Sequence, residues 1–459
     1  MTSSKMTTTE RRAVISLSSI MGLRMVGLFM VLPVFTLYAQ QLTSATPILI
    51  GLAVGIYGLS QALLQIPFGV LSDRFGRKPL ILIGLLIFIA GSLIAATSHS
   101  IYLMILGRAL QGVGAVGSTI LAMMADLTRE EQRTKSMAIA GITIGFSFSL
   151  AMLVGPLFTN WVPVNCLFYL AALCGAAAIL VLYTSVPTPA IQRWHRDAEP
   201  ELRSFLALLV MPELAKLNSG IFILHAIFTA SFVVIPISLL KFANLPANHQ
   251  WLVYVPTLLI SFVLVLICVG IAERKQQLKP FFLGGITTLA IAEVLLWMAP
   301  TNMTLAIIGL CLFFAGFSLM EAFLPSLISR TAPAARKGSA LGIFSCTQFF
   351  GIFVGGALGG WLYGQFSYTG VYLFCLFLSL FWLALAQFMQ PPRYLITEVL
   401  HLNSPHNHWE TIAAKLHVIP GIVEVTLIAE DKVAYLKMER STRQHPDFIR
   451  IKEQIQTEG

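Results

Sequence analysis

Charge is what this sequence has least of: Asp, Glu, Lys and Arg together make 11% of its 459 residues, where an ordinary soluble domain carries about 25%. With 56% hydrophobic residues and a mean hydropathy of +0.79, such a chain cannot be a soluble globular protein. Cysteines are few. The six (Cys166, Cys174, Cys268, Cys311, Cys346, Cys375) all fall in apolar stretches and none forms a C-x-x-C pair, which argues against a disulfide framework and a zinc site. No G-x-x-x-x-G-K-[ST] loop occurs, so the chain shows no means of its own to use ATP. No Ala-x-Ala-like site follows the first apolar segment, which favours a retained helix over a signal peptide.

What is present is a series of apolar runs. A hydrocarbon core of about 30 Å takes about 20 apolar residues per helix. Twelve runs of that size are expected, at 14–39, 47–71, 79–98, 101–126, 136–161, 165–185, 217–240, 250–272, 280–299, 303–328, 338–364 and 368–389. The connections on one side hold nineteen Lys and Arg, while the opposite connections hold only Lys241. That asymmetry predicts cytoplasmic N- and C-termini. The net charge of +9 therefore reports orientation across lipid, and nucleic acid is not an expected partner.

At an offset of about 200 residues the chain resembles itself. Val31-Leu32-Pro33-Val34 is echoed by Val234-Ile235-Pro236-Ile237, Gly69 to Pro79 by Gly270 to Pro280, and Arg133 by Arg336. Two six-helix halves follow, 1–186 and 217–390, joined by a polar cytoplasmic linker at 187–216. The second copy of the charged loop reads as decayed, with Glu273 one position early relative to Asp73 and nothing matching Gly76-Arg77.

The stretch Gly69-Val-Leu-Ser-Asp73-Arg-Phe-Gly76-Arg77-Lys78-Pro79 interrupts two apolar runs with a short charged turn. Its pattern, G-x-x-x-D-R-x-G-R-K, resembles the signature loop between helices 2 and 3 of the major facilitator superfamily of secondary transporters. Topology and solvation alone would explain the basic residues, but they require neither Asp73 nor the two glycines. The resemblance implies an all-α membrane fold of twelve helices, no enzyme activity, and a conformational gate on the cytoplasmic side. In that gate Asp73 bridges to the start of helix 11, Gly338-Ser339-Ala340-Leu341-Gly342, and stabilises the outward-facing state. Arg77 is expected to pair with Asp126.

Four ionisable residues fall inside spans that would line a central cavity in such a fold: Arg24, Arg108, His225 and Glu321. Charge inside a membrane is costly and marks function by default. Arg24 and Arg108 suit an anionic group or a counter-charge, Glu321 suits a proton, and His225 fits a structural role equally. Glu293 on helix 9 is expected near the outer interface, snorkelling to headgroups, with coupling as the alternative. Arg108-Ala-Leu-Gln111-Gly112-Val-Gly114 resembles the family's R-x-x-Q-G-x-G element, linked to proton coupling in drug exporters, although its glycines also suit helix packing. Gly155-Pro156 resembles the core of the exporter-associated motif, but Phe158-Thr159 replaces the usual Gly-Gly, and Arg24 stands where some multidrug exporters carry an acid.

Beyond Gln390-Pro391-Pro392 the composition changes to a charged tail. Strands are expected at 394–400, 422–429 and 432–439, helices at 408–417 and 446–456, with turns at Pro420-Gly421 and Glu430-Asp431. This βαββα order, domain 394–459, resembles a ferredoxin-like unit without its final strand. His406 and His408 in its first loop are weak metal candidates beside a simpler reading as a solvated loop. The tail is a candidate to bind a ligand, a protein or itself.

The expectation is a transporter in a bacterial inner membrane, in contact with lipid and a small-molecule substrate, without cofactor and driven by a proton gradient to export small organic compounds. An uptake permease, an uncoupled facilitator, and a membrane sensor acting through the tail are the alternatives.

Overall fold

The computed structural model describes residues 6–187, 207–299, 301–333, 336–389, 395–401, 409–428 and 433–457. Most of the expected linker, the candidates His406 and His408, and the turn Glu430-Asp431 lie outside these. Among the described residues, eleven helical runs are long and apolar enough to cross a membrane. The last, Gly338–Gln387, has 50 residues, twice what one crossing takes. It breaks at Ser367 (φ 59°, ψ −160°), so it makes two crossings and the total is twelve.

The first crossing is two helices, α1 (Thr8–Phe29) and α2 (Leu32–Ala39), because Pro33 lies in the first turn of α2 and has no N–H to continue the ladder. The second is α3 (Pro47–Phe75), opened by Thr46, whose hydroxyl accepts from Leu49 N, and by Pro47 at the first helical position. Gly76 (φ 92°, ψ 150°) then turns the chain into α4 (Arg77–Ala96), the third crossing. The fourth is also split, into α5 (Ile101–Val113) and α6 (Gly117–Asp126), about Gly114. α7 (Glu130–Phe158) and α8 (Asn165–Thr184) complete the first half.

The second half comprises α9 (Pro212–Lys241), α10 (Trp251–Arg274), α11 (Leu278–Met298), α12 (Met303–Thr331) and the doubled α13 (Lys337–Gln387). Below, "inner" means the end of each crossing that carries the basic connections.

The tail forms a three-stranded antiparallel sheet in the order β1-β3-β2, from β1 (Leu395–His401), β2 (Ile422–Ile428) and β3 (Val433–Glu439). With α14 (Trp409–His417) and α15 (Pro446–Thr457) it encloses its own core of Leu400, Leu416, Ile422, Leu436, Met438 and Phe448. It is a small α+β unit.

Candidate functional site

At the inner rim, Asp73 in the last turn of α3 pairs with Arg77, one turn on across Gly76. Arg77 Nε reaches Asp126 Oδ2 of α6 at 3.1 Å, and its Nη1 donates to Ser72 Oγ at 2.6 Å. Gly69 faces α6 without needing to be glycine for space, since a Cβ there would sit 3.8 Å from Ser118 Oγ, an ordinary contact. Asp73, Arg77 and Asp126 therefore meet within the first half. Gly338 and Gly342 stand apart: among the described residues nothing from a neighbouring element lies within 4 Å of where a Cβ on either would sit. The bridge from Asp73 to the start of α13 is not among the described hydrogen bonds.

The matching loop of the second half, which the sequence shows as decayed with Glu273 shifted by one position, still holds an ion pair. Glu273 Oε1 lies 2.6 Å from Arg330 Nη2 at the inner end of α12, the place where α6 carries Asp126 in the first half. Gln276 has a left-handed φ of 52° and stands 200 residues after Gly76. The ion pair and the turn both recur, with the charges exchanged and glutamine in glycine's place. Nothing in the letters marks a left-handed glutamine or a partner 57 residues away.

Mid-membrane in the first half, Arg24 and Arg108 are 2% and 3% exposed. Arg24 Nη2 donates to Gln61 Oε1 at 2.9 Å, Arg108 Nη1 to Gln111 Oε1 at 2.8 Å, and Gln111 Nε2 to Ser92 Oγ at 2.9 Å. The Arg108 guanidinium lies 4.5 Å from the Tyr57 ring centre. Among the described residues neither arginine is paired with a carboxylate, so two positive charges rest on amides and aromatic faces. Gln61, Ser92 and Tyr57 escaped the sequence reading, although polar side chains inside α3 and α4 were the available signal.

In the second half Gln348 of α13 joins His225 and Glu321. Its Nε2 lies 2.9 Å from His225 Nε2 and donates to Glu321 Oε1 at 3.2 Å, and His225 Nε2 is 3.6 Å from Glu321 Oε2. With Gln348 donating to Nε2, the imidazole hydrogen sits on Nδ1, which faces Ile221 O at 3.2 Å. Glu321 is half-buried and His225 buried. Gln348 was also missed, in the polar run Cys346-Thr347-Gln348. Glu293 departs from expectation: it is 0% exposed, and Ser231 Oγ of α9 donates to its Oε1 at 3.0 Å. It does not reach headgroups, because α9 and α13 close over it.

The halves meet over their outer portions. On α3, a Cβ at Gly51 would collide with Gly356 O, and one at Gly55 would lie 2.8 Å from Phe353 O of α13. Thr36 Oγ1 of α2 donates to Phe232 O of α9 at 3.2 Å. Below this seal, Phe148 of α7 lies 5.5 Å from Phe228 and 5.7 Å from Phe317, ring centre to ring centre. The seal's signature, small residues at i and i+4 in Gly51/Gly55 and Gly356/Gly360/Gly364, was legible and went unread. Gly112 packs on Tyr57 O, Gly114 on Gly84 O and Gly155 on Met30 O, each too close for a side chain, while Pro156 lies within α7. These contacts hold the first half together. Among the described residues no group of three His, Cys, Asp or Glu is placed to hold a metal.

Residues 17–356 and 250–399 match the family model described as Major Facilitator Superfamily. Inner membrane transport protein YajR of Escherichia coli (strain K12) is 44% identical over 437 residues, covering 95% of this chain and 96% of that protein. Multidrug resistance protein MdtH of Klebsiella pneumoniae (strain 342) is 25% identical over 381 residues, 78% of this chain and 90% of that one. The crystal structure of a D-xylose-proton symporter aligns with a TM-score of 0.65 at 17% identity, over 83% of this chain and 98% of that one, a likeness of fold alone.

Proposed function

Because the chain belongs to the major facilitator superfamily, whose members are transporters and not enzymes, we propose that it exports small organic compounds in exchange for protons. It works by alternating access, in a bacterial inner membrane with both termini cytoplasmic. The name of its relative YajR supports that location, the drug-resistance relative MdtH supports export, and the placement of basic connections supports the orientation.

The observation that carries the reading is the His225–Gln348–Glu321 cluster. A half-buried carboxyl, hydrogen-bonded to an amide and adjoining an imidazole, can take up and give back a proton where the two halves face each other. Arg24 and Arg108, buried and without a carboxylate partner among the described residues, are the first half's candidates to meet an anionic group of the substrate once motion exposes them. With the outer portions sealed and Gly338 and Gly342 uncovered, the molecule is in its inner-open state. In the other state Asp73 docks at the start of α13, where a carboxylate meets the positive end of the helix. The tail serves as a ferredoxin-like regulatory module.

The test is accumulation of a panel of neutral and anionic organic compounds in cells producing the protein. Collapsing the proton gradient should raise retention, and Glu321→Gln should lower gradient-driven efflux by about tenfold, the effect of losing about 1.4 kcal/mol. Lower retention on collapse would establish uptake, and no flux with any compound would point to a sensor.

A further inference from the structure

Glu293 is an ionisable group for which the mechanism above has no use. It lies on α11 and is wholly removed from solvent. Its Oε1 accepts one hydrogen bond, from Ser231 of α9, and its Oε2 has none. Cys375 and Tyr372 of α13 are the titratable groups that face it, both buried, with Cys375 Sγ 3.5 Å from the same Ser231 hydroxyl. Along α12, which packs against α11 through Gly309 and Gly316, the titratable side chains are engaged elsewhere: Cys311 near Ser261, Glu321 with Gln348, Arg330 with Glu273. Among the described residues no Lys, Arg or His forms an ion pair with Glu293. Beside the carboxylate itself, the Ser231 hydroxyl with a neighbouring thiol sulfur gives too few oxygen donors for a hard metal cation.

One helical turn outward lies a cavity of about 20 Å³, bounded by Ser238, Tyr372, Leu296 and Ala299 among others, enough for one water. Leu296 is one turn beyond Glu293, and Tyr372 one turn beyond Cys375. The cavity therefore lies one turn further out than the carboxyl on both α11 and α13, and Glu293 itself is not part of its lining.

We propose that Glu293 is a second proton-binding site, in the second half, loaded from the outer side through this cavity and holding its proton while the outer seal is closed. A hydronium in the cavity transfers a proton to Oε2, an O–H bond forms and water remains, while the Ser231 hydroxyl continues to donate to Oε1. Discharge returns the proton to water by the same bond. A structural role would be served as well by an amide or an apolar side chain, whereas an acid without an ion-pair partner among the described residues marks a functional site by default, and binding a proton is what such a group can do there. The proposal rests on the proton-coupled reading but is tested apart from it.

The full-length purified protein is examined by infrared difference spectroscopy between acid and alkaline buffer, with the proton as the only ligand. Wild type should show a carboxylic-acid C=O band that Glu293→Gln removes and Glu321→Gln leaves in place. Glu293→Asp should keep that band at a shifted frequency, which also serves if Glu293→Gln fails to fold. Tyr372→Phe should slow proton uptake about tenfold without removing the band. An unchanged band pattern in folded Glu293→Gln, or an unshifted one in Glu293→Asp, overturns the inference even where efflux is proton-driven. Loss of the band in a protein whose efflux ignores the gradient sustains this site and overturns the exchange mechanism instead.

Discussion

Gly76 and Gln276 hold corresponding left-handed turns, one in each half, at different conformational expense. At φ 92° and ψ 150° Gly76 occupies backbone space that side chains essentially never enter. Gly76→Ala should destabilise the protein by about 1–3 kcal/mol, read as a lowered melting temperature in detergent, while Gln276→Gly should leave stability unchanged or slightly raised. The same pair shows how far single letters carry. Gly76, Asp73, Arg77 and Asp126 are legible because charge and glycine inside a hydrophobic sequence have few explanations. Gln276 and the Glu273–Arg330 pair are not, since a turn can persist after its glycine is lost and an ion pair can survive exchange of its charges. Glu293 was misread for another reason: its depth follows from how α9 and α13 pack over α11, which no hydropathy profile contains.

At the scale of elements, α13 packs closely on two helices, α9 and α3, and glycines explain how. Gly351, Gly355 and Gly359 lie against Phe222, Ala226 and Ala230 of α9, while Gly356 and Gly360 lie against α3. Two ridges at i+4 spacing give one helix two backbone-close neighbours. A Cβ on Gly364 would come within 3.3 Å of Pro47 Cβ at the outer end, close to the separation a disulfide spans. Pro47→Cys with Gly364→Cys, in a background without the native cysteines, should therefore cross-link spontaneously and abolish efflux, and reductant should restore it. Failure to cross-link in membranes would mean that the outer seal is not the resting arrangement. Existence and order of the crossings were readable from apolar length alone. The breaks in the first and fourth were not read, because hydropathy averages over Pro33 and Gly114 while the backbone cannot.

For the molecule as a whole, the proposed alternating access has the two halves move as units, so a group that only one state brings to their boundary should change the balance between states more than it changes folding. Asp73→Asn should lower transport about two- to fivefold, the effect of removing 0.3 to 1 kcal/mol from one state, with expression and melting near wild type. Wild-type rates in that variant would remove Asp73 from the gate. The repeat that makes this reasoning possible is visible in a further correspondence. Lys78 Nζ donates to Val186 O at 2.7 Å, and Lys279 Nζ to Gln387 O at 2.9 Å and Met389 O at 2.7 Å.

Those lysines do more than finish a helix. Val186 ends the last crossing of the first half, and Met389 is the final described residue before the α+β tail, so each ammonium clasps the chain where it leaves the membrane. At the second exit two ammonium groups share the task, for Lys216 Nζ of α9 also donates to Phe388 O at 3.1 Å. The last crossing is thus tied at its exit to the inner ends of both α9 and α11, so a displacement there bears on two neighbouring helices at once.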